Sequence, residues 1–229
     1  THFDKDPRNR EMRHMLAGVE VVLPPKTVVL TFDDGPHPQH TPAILDTLRD
    51  KGVKAMFFQL GSILDGNFIG QENVKTSLAI EQRLLREGHL VANHTYSHPR
   101  LSTLSFEAAT RQIREAADFI DAAARQLPGR TFFFRPPYGD VDYKTLLAVE
   151  DAMLYPLFWN VDPQDWQPQT PDNLINVTLK GVEAVGSGVV LLHDIHGHTA
   201  QALPGLIDRL RARGYGFGVW NGKTFERQP

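Results

Sequence analysis

The sequence predicts an α/β fold, one mostly parallel sheet curled into an incomplete barrel with helices outside it, and three observations predict this. Seven short β-rich runs recur, each followed by a segment with helical spacing. Glycines stand where the intervening helices should stop before the next run. Polar residues collect after many different runs, which suits a barrel mouth better than the single switch point of a doubly wound open sheet.

The runs are 27–32, 55–58, 90–92, 132–134, 155–159, 189–192 and 217–220. After the first, Thr41-Pro42 reads as a helix cap followed by a first-turn proline. Gly52 and Gly88 are the expected stops ahead of the second and third runs. The clearest helix starts at Ser105 as N-cap and puts Phe106, Ala109, Ile113, Ala116, Ile120, Ala124 and Leu127 on one stripe, which reads as core. Residues 61–73 are polar and glycine-punctuated, so they predict a surface loop near the mouth. Residues 1–24 read as an arm covering one end of the barrel, and residues 25–229 as a single domain.

The chain has 229 residues, 41% of them hydrophobic, enough for one sizeable core. A net charge of -3 supplies no bulk basic field, which argues against a nucleic-acid partner. No apolar run is long enough to span a bilayer, and the polar start Thr1-His2-Phe3-Asp4 does not read as a signal peptide. With no cysteine, disulfides and thiolate ligands are excluded, so a metal must be held by histidines and carboxylates.

Directly after the first run, Thr31-Phe32-Asp33-Asp34-Gly35-Pro36 ends an apolar strand in two adjacent carboxylates and a turn. Taken alone, Asp-Gly-Pro is an ordinary solvated turn. At the C-terminal end of a barrel strand the pair lies on the face that carries active sites. Successive side chains diverge, so one carboxylate can ligate a metal while its neighbour faces a water. After the third run, Asn93-His94-Thr95-Tyr96-Ser97-His98-Pro99 holds two histidines four residues apart. In a helical turn both imidazoles share a face and reach one ion. Alone they read equally well as ordinary hydrogen-bonding histidines; with a carboxylate they complete a set that leaves coordination positions open.

Three more polar clusters follow later runs: Arg135-Pro136-Pro137-Tyr138-Gly139, Asp162-Pro163-Gln164-Asp165-Trp166 and Leu191-Leu192-His193-Asp194-Ile195-His196. Singly, Arg135 reads as a surface ion-pair partner, Asp165-Trp166 as a loop anchored by an indole, and His193 as a structural histidine. Jointly, five strands would have to end by chance in the groups that hydrolysis needs.

Taken in order, these segments resemble the five motifs of the NodB-homology polysaccharide deacetylases, carbohydrate esterase family four, over about residues 27–220. The resemblance implies a distorted (β/α)7 barrel and metal-dependent removal of acetyl groups from a polysaccharide, commonly from N-acetylglucosamine. It makes Asp34, His94 and His98 the ligands of zinc, with cobalt, nickel or manganese able to replace it. It makes Asp33 the base and His193 the acid, with Arg135 orienting Asp33 and Asp165 favouring the His193 imidazolium. The Tyr138 backbone N–H is expected to hold the oxyanion, Trp166 to wall the groove, and Leu192 to line the acetyl pocket. His37, His40, His196 and His198 read as loop histidines, with His196 a candidate support for the site.

The expected partner is an acetylated polysaccharide or oligosaccharide of peptidoglycan or chitin type, acted on by a monomer outside the cytoplasm. An O-acetyl esterase acting on xylan is the alternative. A glycosidase on the same barrel is disfavoured because its carboxyls must flank the scissile bond, about 5–9.5 Å apart. A silent carbohydrate-binding barrel is disfavoured by the intact base, ligands and acid.

Overall fold

A computed structural model describes residues 21–124 and 127–229. Residues 1–20 of the predicted arm lie outside the described residues; at its end, Val21 and Leu23 pack against the barrel's inner apolar cluster. Eight strands occur among the described residues: β1 Thr27–Asp33, β2 Met56–Gln59, β3 Leu90–Asn93, β4 Arg130–Phe134, β5 Tyr155–Pro156, β6 Gly188–His193, β7 Gly216–Trp220 and β8 Phe225–Arg227. The helices are α1 His40–Asp50, α2 Gly66–Ile69, α3 Gln71–Arg86, α4 Phe106–Ala124, α5 Tyr143–Asp151, α6 Pro171–Val185 and α7 Gly197–Ala212.

All pairings from β1 to β7 are parallel, as the alternation of strand and helix requires. Strand β1 is the pivot: Val28 to Asp33 pair with β6, Thr31 to Asp33 with β2, and Thr27 and Val28 with β7. The sheet then runs through β2, β3 and β4 to β5. Strand β5 is far shorter than the predicted run 155–159. Pro156 has no N–H to give the ladder, and the chain regains the sheet only at the bridge between Val161 and Val190. That break is what distorts the barrel. The eighth strand, antiparallel to β7, was not foreseen; Asn221 Oδ1 makes its turn by accepting from Lys223 N and Thr224 N.

Strand alternation sorts the barrel into an inside and a helix side. Val28, Leu30 and Phe32 join Phe57, Val190 and Leu192 in the core beneath the helices, whereas Val29, Met56, Phe58, Ala92, Phe133 and Val189 fill the inside. Asp33, in phase with Val29, therefore ends β1 on the inner face, and His193, in phase with Val189, ends β6 there.

Helix α4 follows its expected stripe: Ser105 Oγ accepts from Ala108 N, and Ala109, Ile113, Ala116, Ile120 and Ala124 are buried. Phe106 departs from it and is exposed. Gly52 and Gly88 have φ of 59° and 80°, the left-handed stops expected after α1 and α3. Thr41 is not a cap; it is the second residue of α1, and His37 Nδ1 accepts the N–H groups of Gln39 and His40 instead. The 61–73 stretch is not an irregular loop either. It holds a 3-10 turn at Gly61–Ile63, helix α2 capped by Asp65, and the start of α3. Gly61 serves packing: a Cβ there would lie 2.7 Å from Ala116 Cα of α4.

Candidate metal centre and active site

The site is assembled on the C-terminal ends of β1, β3, β4 and β6 and on the loop after Val161. Asp34 leaves β1 in a left-handed conformation, φ 76°, which swings its carboxylate away from that of Asp33. Asp34 Oδ1 lies 3.3 Å from Nε2 of His94 and 3.3 Å from Nε2 of His98. The predicted triad thus converges, its ligand atoms all within 4.8 Å of one another. The histidines do not share a helical turn, as the four-residue spacing suggested. Thr95 and His98 have φ of 74° and 59°, and the loop folds back because Asn93 Oδ1 accepts from Thr95 N and Thr95 Oγ1 from His98 N. Side-chain bonds to backbone here outcompete the helix.

Protonation logic makes the cluster suited to a cation. His94 Nδ1 donates to the Arg135 carbonyl at 2.7 Å, so the tautomer of the neutral ring has its lone pair on Nε2, which faces a carboxylate oxygen. Burial lowers the His98 pKa, with the Asp34 charge opposing, which favours a neutral ring. Asp34 Oδ1 is buried with no hydrogen-bond donor among the described residues. Burial would raise the Asp34 pKa, but the neighbouring imidazoles override it and hold the carboxyl at about 2. One carboxylate oxygen and two imidazole Nε2 atoms converging within 4.8 Å are the donor set of a divalent metal, and these residues fit one.

Asp33 is set by Arg135. The guanidinium is fully buried and donates through Nη1 to Asp33 Oδ1 at 2.7 Å and to Thr31 Oγ1 at 2.8 Å, and through Nε to Leu157 O at 3.0 Å. It lies 4.0 Å from the Phe58 ring centre and 5.4 Å from that of Trp159, so two aromatic faces and an acid hold it in place. Asp33 Oδ2, the oxygen not used by Arg135, is 3.8 Å from His94 Nε2 and faces the cluster. Arg135 is therefore an internal cation, not a surface ion-pair partner.

On the other flank, His193 Nε2 is 4.0 Å from Asp34 Oδ2, and its Nδ1 donates to Asp165 Oδ1 at 2.7 Å. Burial disfavours the imidazolium, yet the Asp165 bond and the charges of Asp165, Asp33 and Asp34 together raise its pKa to about 9. Asp165 is itself fixed: Oδ2 accepts from His193 N and Thr199 Oγ1, and His198 Nε2 donates to its carbonyl at 2.6 Å. His198 is thus more than a loop residue, and His196 stacks on it at 5.4 Å between ring centres.

Tyr138, with φ 61°, sets its half-exposed ring edge against His98 at 4.6 Å and under the Arg100 guanidinium. Trp166 is exposed beside buried Asp165. Leu192 needs correction. It belongs to the core beneath the helices, because strand alternation turns it away from the face that His193 occupies. Leu191, two residues before His193, is on the cleft face. The supports Thr31, Phe58, Trp159, Thr199 and His198 carried no sequence signal beyond residue type, since contacts between distant segments create their roles.

Fold and site together define an α/β barrel protein with a two-histidine, one-carboxylate cluster at the strand ends. The family model for polysaccharide deacetylase matches residues 20–156, and the chain belongs to that family. It is 33% identical over 205 residues to a chitooligosaccharide deacetylase of Azorhizobium caulinodans, covering 82% of this chain and 90% of that relative. It is also 33% identical over 210 residues to the peptidoglycan-N-acetylglucosamine deacetylase PgdA of Listeria monocytogenes, covering 90% of this chain but 41% of that protein. Among solved structures, a family 4 carbohydrate esterase from Streptomyces lividans in complex with acetate superposes with a TM-score of 0.73 at 28% identity, covering 89% of this chain and 97% of that one.

Proposed function

We propose that this protein is a metal-dependent deacetylase that hydrolyses the N-acetyl groups of N-acetylglucosamine polymers or oligosaccharides, of chitin or peptidoglycan type. The observation that carries the metal is Asp34 Oδ1, unpartnered among the described residues, between two ring nitrogens, one of them aimed at it by the Nδ1 bond of His94 to the Arg135 carbonyl. Zinc suits these nitrogen and oxygen donors, as do cobalt, nickel and manganese. When bound there, a divalent cation supplies positive charge that polarises the acetyl carbonyl and favours the hydroxide form of water.

The remaining chemistry belongs to the chain. Asp33, held through Oδ1 by Arg135, presents Oδ2 to the attacking water and takes its proton. The backbone N–H of Tyr138 donates to the developing oxyanion. An amine leaves only once protonated, and His193, holding its proton through the Asp165 bond, delivers it from Nε2. Leu191 takes the place expected for Leu192 beside the acetyl methyl. Trp166 and the Tyr138 ring offer faces to the sugar. The substrate class is supported by the chitooligosaccharide and peptidoglycan deacetylases among the relatives; on that reading the protein works outside the cytoplasm, and we take it to be a monomer.

The deciding experiment is acetate release from N-acetylated chito-oligosaccharides, peptidoglycan fragments and acetylated xylan, using metal-stripped and zinc-loaded protein with mass spectrometry of products. Acetate from the amide substrates only after zinc is added is the expected result. Full turnover without metal removes the metal step, preference for xylan makes the protein an ester hydrolase, and shortened chains make it a glycosidase.

A further inference from the structure

Behind the turn that carries Asp34, on the helix side of the sheet, lie buried polar side chains that the acetyl chemistry does not use. Asp194 directly follows His193 and is fully buried, as is Glu81 on the inner face of α3. A Cβ on Gly35 would lie 2.1 Å from Asp194 Oδ2, so the carboxyl presses on the backbone of the metal turn and leaves room only for glycine. Thr41 Oγ1 accepts the His37 N–H at 2.7 Å, which leaves its own proton to be donated to Asp194 Oδ2 at 2.5 Å. Asp194 Oδ1 and both Glu81 oxygens have no hydrogen-bond partner among the described residues. Burial pushes the Glu81 carboxyl up to about 8, with the charge of Asp194 adding to the rise. Burial likewise pushes Asp194 up to about 7, against the Thr41 bond. Three unpaired carboxyl oxygens at such depth would each cost stability unless a proton joins them.

We propose that Asp194 is a positioning residue for the metal turn. Seated by the Thr41 hydroxyl, its carboxylate braces the Gly35 backbone and keeps Asp34 in its left-handed bend, so that Oδ1 stays between the two imidazoles. The role rests on the metal reading above, since a brace for Asp34 matters most if Asp34 holds a cation.

The test is calorimetric titration of zinc into the metal-stripped full chain, with the absorption spectrum of the cobalt-loaded protein as a report on ligand geometry. Asp194→Ala is expected to weaken zinc binding about tenfold, the scale on which supports of metal ligands act, and to alter the cobalt spectrum. Circular dichroism identifies the folded variants, and if Asp194→Ala does not fold, Thr41→Val carries the test through the same carboxylate. Folded Asp194→Ala or Thr41→Val with unchanged zinc affinity and cobalt spectrum overturns the brace alone. No zinc uptake by the unaltered chain overturns the metal reading and the brace with it.

Discussion

Asp33 and Asp34 are chain neighbours in different surroundings, and the difference comes from one backbone angle. The left-handed φ of Asp34 sends its oxygen to the imidazoles, while Asp33 stays in strand geometry beside Arg135. Asp33→Asn should therefore retain bound metal, measured by elemental analysis, while losing at least about 100-fold in rate, because the base is gone and the ligands remain. His94→Ala should lose both metal and rate; unchanged zinc stoichiometry would remove His94 from the ligand set. His193 has its pKa raised from 6.5 to about 9, so the proton needed for the leaving amine persists through neutral pH and is lost as pH passes the raised value. Asp165→Asn deletes the charge that favours the imidazolium. The alkaline limb of kcat should move down by about 1–3 units, and an unmoved limb would place the acid elsewhere.

Among the elements, the 61–73 insert is a packed part of the mouth. Gly61 and Ser62 donate backbone hydrogen bonds to Thr95 and Tyr96 carbonyls, and Tyr96 OH donates to Asp65, which also caps α2. The insert thus clamps the loop that carries His94 and His98. Gly61→Ala forces a Cβ toward the α4 backbone at 2.7 Å, which cannot give way as a flexible side chain would. A stability loss of about 1–3 kcal/mol in denaturant unfolding is expected, with weaker metal binding as the ligand loop shifts. A Gly61→Ala protein with unaltered midpoint and zinc affinity would show that the insert is not coupled to the site.

At the scale of the whole molecule, the barrel brings to one rim carboxylates and histidines that lie up to 160 residues apart, from Asp33 to His193, which pair in register at the ends of β1 and β6. The Asp34, His94 and His98 ligand atoms so gathered suit a cation that the unfolded chain cannot hold in that geometry, so metal binding should stabilise the native state. With free zinc at about 100 times its dissociation constant, linkage adds about 2.7 kcal/mol, or roughly 5–10 °C in melting temperature for a chain of this size. Differential scanning calorimetry with zinc and with chelator checks this; coincident transitions would mean that no native site exists. Among the described residues, no helix is long and apolar enough to cross a membrane.

The strand and helix order, the α4 stripe and the chemical inventory of the rim were legible because they are local: periodicity, punctuation and residue type are written in adjacent positions. Asp34, His94, His98, Asp33 and His193 were legible for the same reason, each standing at the end of an apolar run. Leu192 was misassigned because its place depends on strand phase, which reverses the face with every residue, and the His94 loop because two side-chain bonds redirect the backbone. Folding alone decided that Arg135 is sandwiched by Phe58 and Trp159, that His198 and Thr199 hold Asp165, and that Asp194 presses on Gly35. Those contacts join segments remote in the chain, and no local pattern encodes a partner that only the closure of the sheet brings near.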